Sequence, residues 1–250
     1  VRYNPHDFNR MSIDAGPVST ASARNLESQG RLFHTGMAVA LLLTAVVGFG
    51  PTYFFKPIHP SPPLSPLLHV HGMVFTAWLV LLIVQSGLVR AERTDLHKRL
   101  GMFGAALAAG VVVLGLSVGV YAARRGTSAD GMTPLAFMIF PFGQMLLFGG
   151  FVAAGLWNRR KPELHRRLIL LGSISMLTPA ISRMVDKRSV LAMFLTVGFV
   201  VVAMIHDWLS RRRVHPVYIV GGLILLVSGP LRAAIGNSAA WQSFARMLVG

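Results

Sequence analysis

PLLHVHGMVFTAWLVLLIVQSGLVRAERTDLHKRLGMFG, residues 66–104, decides the fold. Residues 66–89 carry no Asp, Glu, Lys or Arg, and a run of that length crosses the hydrocarbon core of a bilayer as one helix. Arg90, Arg93, Lys98 and Arg99 then interrupt it, and a second apolar run begins at about residue 100. The alternation continues in both directions. Apolar runs at roughly 32–54, 66–89, 100–122, 134–157, 167–184, 190–209 and 217–236 predict an all-α fold, a polytopic membrane helical bundle of seven transmembrane helices. The fifth, LILLGSISMLTPAISRM (168–184), is the shortest, holds several hydroxyls and is interrupted by Pro179, a break that a bundle interior tolerates.

Composition agrees with this reading and narrows the chemistry. Hydrophobic residues make up 53% of the 250 positions and charged ones only 13%, far from the balance of a soluble domain. With no cysteine there is no disulfide, no Cys-ligated zinc or iron–sulfur cluster and no thiolate nucleophile, so histidine must do any soft-ligand work. The net charge of +15 would suggest nucleic acid in a soluble chain, but here the basic residues lie between apolar runs, so membrane lipid is the expected partner and nucleic acid is not. Sixteen of the 24 Lys and Arg fall on the N-terminal side of the spans and seven on the other, with Arg232 inside the last. The positive-inside rule then predicts a cytoplasmic N-terminus and an outer C-terminus. Residues 1–30, polar and without a signal-type apolar segment, read as a loose cytoplasmic tail, 31–236 as the transmembrane domain and 237–250 as an outer interfacial segment with Trp241, Phe244 and Leu248 on one stripe.

Shifted by 68 residues, the opening stretch aligns without a gap to PLAFMIFPFGQMLLFGGFVAAGLWNRRKPELHRRLILLG, residues 134–172. Pro66, Gly87, Leu96, His97, Arg99 and Gly104 recur as Pro134, Gly155, Leu164, His165, Arg167 and Gly172, which predicts a duplicated helix pair in parallel topology. The shared register suggests that the third span packs on the fifth through Gly101, Gly104 and Ala108 against Gly172 and Ser175. Histidine also opens each helix of the basic side, at His34, His97, His165 and His215, with His206 near the end of span six. As a cluster these could ligate a metal or relay protons, and as interfacial anchors they would serve construction. Asp207, four residues before Arg211, has the spacing of a helical ion pair.

The outer half supplies the candidate binding residues. His69 and His71 lie just inside the outer boundary, where ionisable groups need a reason. Two apart, they point in different directions on a helix, and His71 shares its stripe with Trp78 and Gln85 at heptad spacing, which marks His71 as the inward one. Arg232, deep in span seven beside Ser228 and the Gly229-Pro230 break, and Arg183, at the outer end of span five, lie at similar depth. An inward arginine beside His71 would suit a haem propionate or a quinone oxygen. The cofactor-binding set is therefore His71, His69, Arg232, Arg183, Trp78 and Gln85, with haem or quinone as the expected cofactor. A retinal protein is excluded, since Lys56, Lys98, Lys161 and Lys187 all lie in loops, and no phosphate-binding glycine loop is present.

PLSPLLHVHGMVFTAWLVLLIVQ (63–85), DLHKRLG, ELHRRL and RRRVHPVYIVGGLILLVSGPLR together resemble a group of uncharacterised bacterial multi-pass membrane proteins, which look distantly like the His-containing proteins of cytochrome-oxidase assembly. The resemblance covers roughly residues 31–248 and implies a bacterial inner membrane and a respiratory context, without a reaction. Two functions follow as expectations. One is a histidine-dependent haem, redox-cofactor or metal-binding protein of electron transfer. The other is a non-catalytic structural or assembly subunit of a larger membrane complex or homo-oligomer. A small-molecule transporter is the third, short of a buried carboxylate for ion coupling.

Overall fold

The computed structural model describes residues 20–58, 63–129, 131–186 and 188–250, so the expected tail before Thr20 and the loop residue Lys187 lie outside the described residues. Ten α-helices are described: α1 (Thr20–Phe49), α2 (Pro66–Arg90), α3 (Thr94–Arg124), α4 (Pro134–Phe137), α5 (Ile139–Trp157), α6 (Pro162–Ser175), α7 (Thr178–Met184), α8 (Ser189–Arg211), α9 (Pro216–Gly236) and α10 (Ala239–Val249). The helix α1 begins within the stretch expected as a loose tail, at Thr20 rather than near Arg31. Among the described residues six stretches are long and apolar enough to cross a membrane: Ser28–Phe54, Pro66–Arg90, Thr94–Arg124, Pro134–Trp157, Ser189–Arg211 and Pro216–Gly236. The chain is an all-helical, multi-pass membrane protein.

Local chemistry sets the helix starts. Ser65 caps α2 by accepting from the Leu68 amide, and Thr133 caps α4 by accepting from the Ala136 amide, each with proline at the first helical position and with φ −68° and ψ 154°. The two caps stand 68 residues apart. So do Arg93 and Lys161, which precede α3 and α6 without any side-chain cap. The correspondence read in the sequence therefore extends to the backbone at the Ser65 and Thr133 entries, whereas φ and ψ are −84° and 59° at Arg93 but −112° and 87° at Lys161. Apart from residues 50–65 and 125–133 the turns between helices are short, and three of them close on a non-glycine residue in the left-handed region: Glu92, Asp186 and Arg212.

The fifth expected span is not a continuous helix. It divides into α6 and α7 at Met176 and Leu177. Proline has no N–H, so Pro179 cannot donate to the Ser175 carbonyl, while the Met176 and Leu177 amides turn back tightly onto Ser173 and Ile174. The Ser173 and Ser175 hydroxyls donate to the Ile169 and Gly172 carbonyls, satisfying the polar groups that the break brings indoors. This broken element is the innermost of the bundle, with every residue from Leu170 to Leu177 buried. It runs antiparallel to α5, where an added Cβ at Gly172 would meet Val152, and to α8, where Thr178 meets Thr196 at 3.2 Å. It lies parallel to α1, through Gly48 against Ala180, and to α9, through Gly221 against Leu171. From α2, Trp78 reaches in to donate to Ser173 at 3.1 Å and meets Phe148 edge to face.

One expected packing is corrected. Gly104 and Gly172 do not join α3 to α6. A Cβ at Gly104 would meet Leu81 of α2, and one at Gly172 would meet Val152 and Phe151 of α5, so each glycine seats its helix on its own hairpin partner. The cause is loop length, because residues 91–93 and 158–161 are too few to let consecutive helices separate. Between α3 and α6 only the entries approach, with the His97 and His165 rings 6.3 Å apart.

At the end opposite the short basic loops, α10 folds over α3 and α4. Trp241 donates to the Leu135 carbonyl at 2.8 Å, and Arg124 donates to the carbonyls of Leu248 and Val249. The stripe expected along an outer interface is divided by this contact. Trp241 and Leu248 pack on the cluster of Ala123, Met138 and Ala245, while Phe244 is exposed.

Candidate functional site

The predicted binding residues separate into distinct surroundings. On α2, His71 is half-buried with its ring 4.3 Å from that of Phe75, one turn on, and its Nδ1 is buried without a hydrogen-bond partner. His69 is exposed, its carbonyl accepting from the Tyr53 hydroxyl at 3.2 Å. Trp78 is buried against α5 and α6 as described above. Gln85, with its amide nitrogen turned toward His97, donates to His97 Nδ1 at 2.7 Å and accepts from the Gly101 amide at 3.0 Å. The stripe at heptad spacing thus exists, but its three members serve three different neighbours. Arg183 donates to the Pro179 carbonyl at 2.7 Å and lies 4.5 Å over the Phe49 ring, a contact between α7 and α1 on the exposed side.

Arg232 is not brought to His71. It reaches from α9 to α5, where Nη1 donates to Gln144 Oε1 at 2.9 Å and to the Phe140 carbonyl at 3.1 Å. Its Nε donates to the Ser228 carbonyl and Nη2 to the Ser228 hydroxyl, and the guanidinium lies 5.3 Å from the Phe140 ring centroid. Gly143 makes the approach possible, because a Cβ there would overlap the arginine stem. Beside these groups lies a small cavity lined by Gln144, Ser175, Thr178, Met193, Thr196 and Ser228 among others, with room for about one water molecule. A haem or a quinone ring needs a pocket of several hundred Å3. The surroundings of Arg232 do not fit either, and among the described residues no three His, Asp or Glu side chains gather as a metal site.

The densest polar constellation lies at the other end, where α3, α6 and α9 begin. Arg167 of α6 is 1% exposed and Asp207 of α8 2%. They form a two-pronged pair, Nη2 to Oδ1 at 2.7 Å and Nε to Oδ2 at 3.1 Å. The expected pairing of Asp207 with Arg211 is not made. Asp207 instead accepts from the His215 amide at the entry of α9, while Arg211 pairs with Glu163 at 2.8 Å. Glu163, in the first turn of α6, is also held by Arg166 and Arg167. Burial alone would raise its pKa, but the Arg167 hydrogen bond and the Arg166 and Arg211 charges outweigh that and hold the carboxyl at about 2. His215 is pushed down, first by burial and then by the Arg167 charge. The Arg167 guanidinium also covers the Tyr218 ring at 5.5 Å, and the Tyr218 hydroxyl is buried without a partner.

Around this network α1 adds Phe33, whose ring stacks on His206 at 3.8 Å, and His34, whose Nδ1 meets the Gly30 carbonyl at 2.7 Å. His165 Nδ1 meets the Gly155 carbonyl at 2.8 Å. Each histidine of this end is therefore tied to a helix backbone or a ring. Sequence reasoning placed these histidines together at one end but missed the Arg167–Asp207 pair. The available signal was Arg167 itself, an arginine at the fifth span's entry with an acidic residue four positions ahead. No protein-family model, curated protein or solved structure matches the chain.

Proposed function

We propose that the protein is a seven-crossing subunit of the bacterial inner membrane with a cytoplasmic N-terminus, non-catalytic in itself and serving in a larger membrane complex. The observation that supports this is the interior: Arg167, Asp207, Glu163 and Arg211 are consumed by one another, Arg232 is held by neutral acceptors, and the cavity beside it holds about one water. Because α6 and α7 together run antiparallel to both α5 and α8, they return the chain across the membrane as a broken fifth crossing. The matching cap geometry at a 68-residue shift supports a duplicated hairpin as its origin.

The assembly reading is tested on protein extracted from native membranes in mild detergent. It should migrate in an assembly larger than its own 27.1 kDa and show neither a Soret band nor extractable quinone. A stoichiometric chromophore, or migration as a bare monomer, would overturn it. The topology is tested separately. Reporter fusions at Arg160, before α6, and at Arg188, after α7, should report opposite sides of the membrane, and the same side for both would remove the fifth crossing.

The second reading is the redox cofactor or metal, now on His71 alone. The buried Nδ1 of His71 without a partner favours it, since a group seated from outside the helix could bond there. Replacing His71 by Ala should then abolish any chromophore that replacing His69 by Ala leaves in place.

A further inference from the structure

Among the described residues, the positive charge beside the cavity between α5 and α9 has no negative partner. Arg232 reaches back toward Ser228, one turn deeper in α9, rather than outward toward the nearer end of its helix, so it does not snorkel. All four of its acceptors are neutral: two backbone carbonyls, a serine hydroxyl and the Gln144 amide oxygen. No carboxylate among the described residues comes within ion-pair distance of it, in contrast to Arg166, Arg167 and Arg211 at the other end. An unneutralised guanidinium inside a membrane bundle is costly unless a counter-charge joins it.

The donors left over define what that counter-charge can be. Both Nη1 hydrogens and the Nε hydrogen are used, while Nη2 gives only one of its two to Ser228. Gln144 is 7% exposed and spends its amide oxygen on Arg232, which leaves its NH2 group for the cavity it lines. The hydroxyls on the wall are committed as donors: Ser175 to the Gly172 carbonyl, Thr196 to that of Ala192, Ser228 to that of Leu225 and Thr178 to the Thr196 oxygen. A site with one guanidinium hydrogen, one amide NH2 and room for about one water takes a small anion. We propose that this cavity binds a single halide ion, chloride in the cell, as the counter-ion of Arg232. The inference is independent of the subunit reading, since a structural ion can sit in a subunit, a transporter or a cofactor protein alike.

The test uses the full chain in nanodiscs, with chloride or bromide replaced stepwise by gluconate at constant ionic strength and pH. Gluconate is too large for the cavity. The wild-type Tm should rise with halide and saturate, because a ligand bound only by the folded state stabilises by mass action. Arg232→Met should lose the halide dependence. Gln144→Glu, which supplies a carboxylate in place of the ion, should lose it too while melting as high without halide as the wild type does with it. Arg246→Gln, an exposed control, should keep the full dependence. A wild-type Tm indifferent to halide overturns the proposal without reference to any variant. An undiminished halide effect in Gln144→Glu or Arg232→Met also overturns it, by placing the ion elsewhere on a strongly basic protein.

Discussion

Asp207→Asn lowers the stability of the detergent-solubilised protein by about 3–5 kcal/mol, the range expected when one member of a buried ion pair is removed. Arg167 is almost completely enclosed and its Asp207 partner equally so, and the pair joins α6 to α8 across 40 residues of sequence. Loss of the carboxylate leaves the guanidinium with Glu163 alone and also weakens the acceptor of the His215 amide, so the entry of α9 loosens at the same time. The double replacement Arg167→Met with Asp207→Leu should recover most of the loss, because two well-packed apolar chains avoid the desolvation that the ion pair bears. Thermal unfolding of the two single variants and the double one measures the coupling directly. If Asp207→Asn unfolds like the wild type, the pair holds nothing together.

Gly48→Ala is the second substitution with a large expected effect. A Cβ at this position would overlap the Ala180 carbonyl oxygen and lie 2.7 Å from its carbon and 2.8 Å from its Cα. These are backbone atoms of α7, unable to swing aside as a side-chain end would, so α1 and α7 must part along their contact. Overpacking costs of about 1–3 kcal/mol and occasionally more apply, and the neighbouring contact of Arg183 over the Phe49 ring is disturbed with it. Gly198→Ala on α8, where nothing lies within 4 Å, is the matched control. It should be neutral or stabilising by up to about 1 kcal/mol through helix propensity. A Gly48 variant that melts with the Gly198 variant would show that α1 and α7 are not in close contact.

The comparison of sequence and structure divides along a physical line. Runs of apolar residues and charge breaks are local, and they mark the six long helices and, with Pro179, the interruption of the fifth run. Which helices stand side by side is not local. His71 and Arg232 lie at similar depth in the sequence reading, yet α9 meets α5 through Gln144 while α2 pairs with α1 and α3. Asp207 shows the same limit from the other side. Its i,i+4 neighbour Arg211 was the partner that spacing offers, but the buried fork of Arg167 satisfies both carboxylate oxygens, and Arg211 turns to Glu163 instead. Heptad spacing correctly aligned His71, Trp78 and Gln85 on α2. It could not show that Trp78 would meet α5 and α6 and Gln85 α3, while His71 lies against Phe75 of its own helix.

The 40-residue separation of Arg167 and Asp207 also has a consequence for biogenesis. At about 5–20 residues per second, the ribosome takes roughly 2–8 s to deliver Asp207 after Arg167 has been made. During that interval the broken α6–α7 segment, with its hydroxyls and an Arg167 paired only with Glu163, is a poor candidate for independent release into lipid. If α6–α7 crosses the membrane as proposed, the translocon must retain it or hand it over together with α8, so its insertion is timed by the synthesis of Asp207.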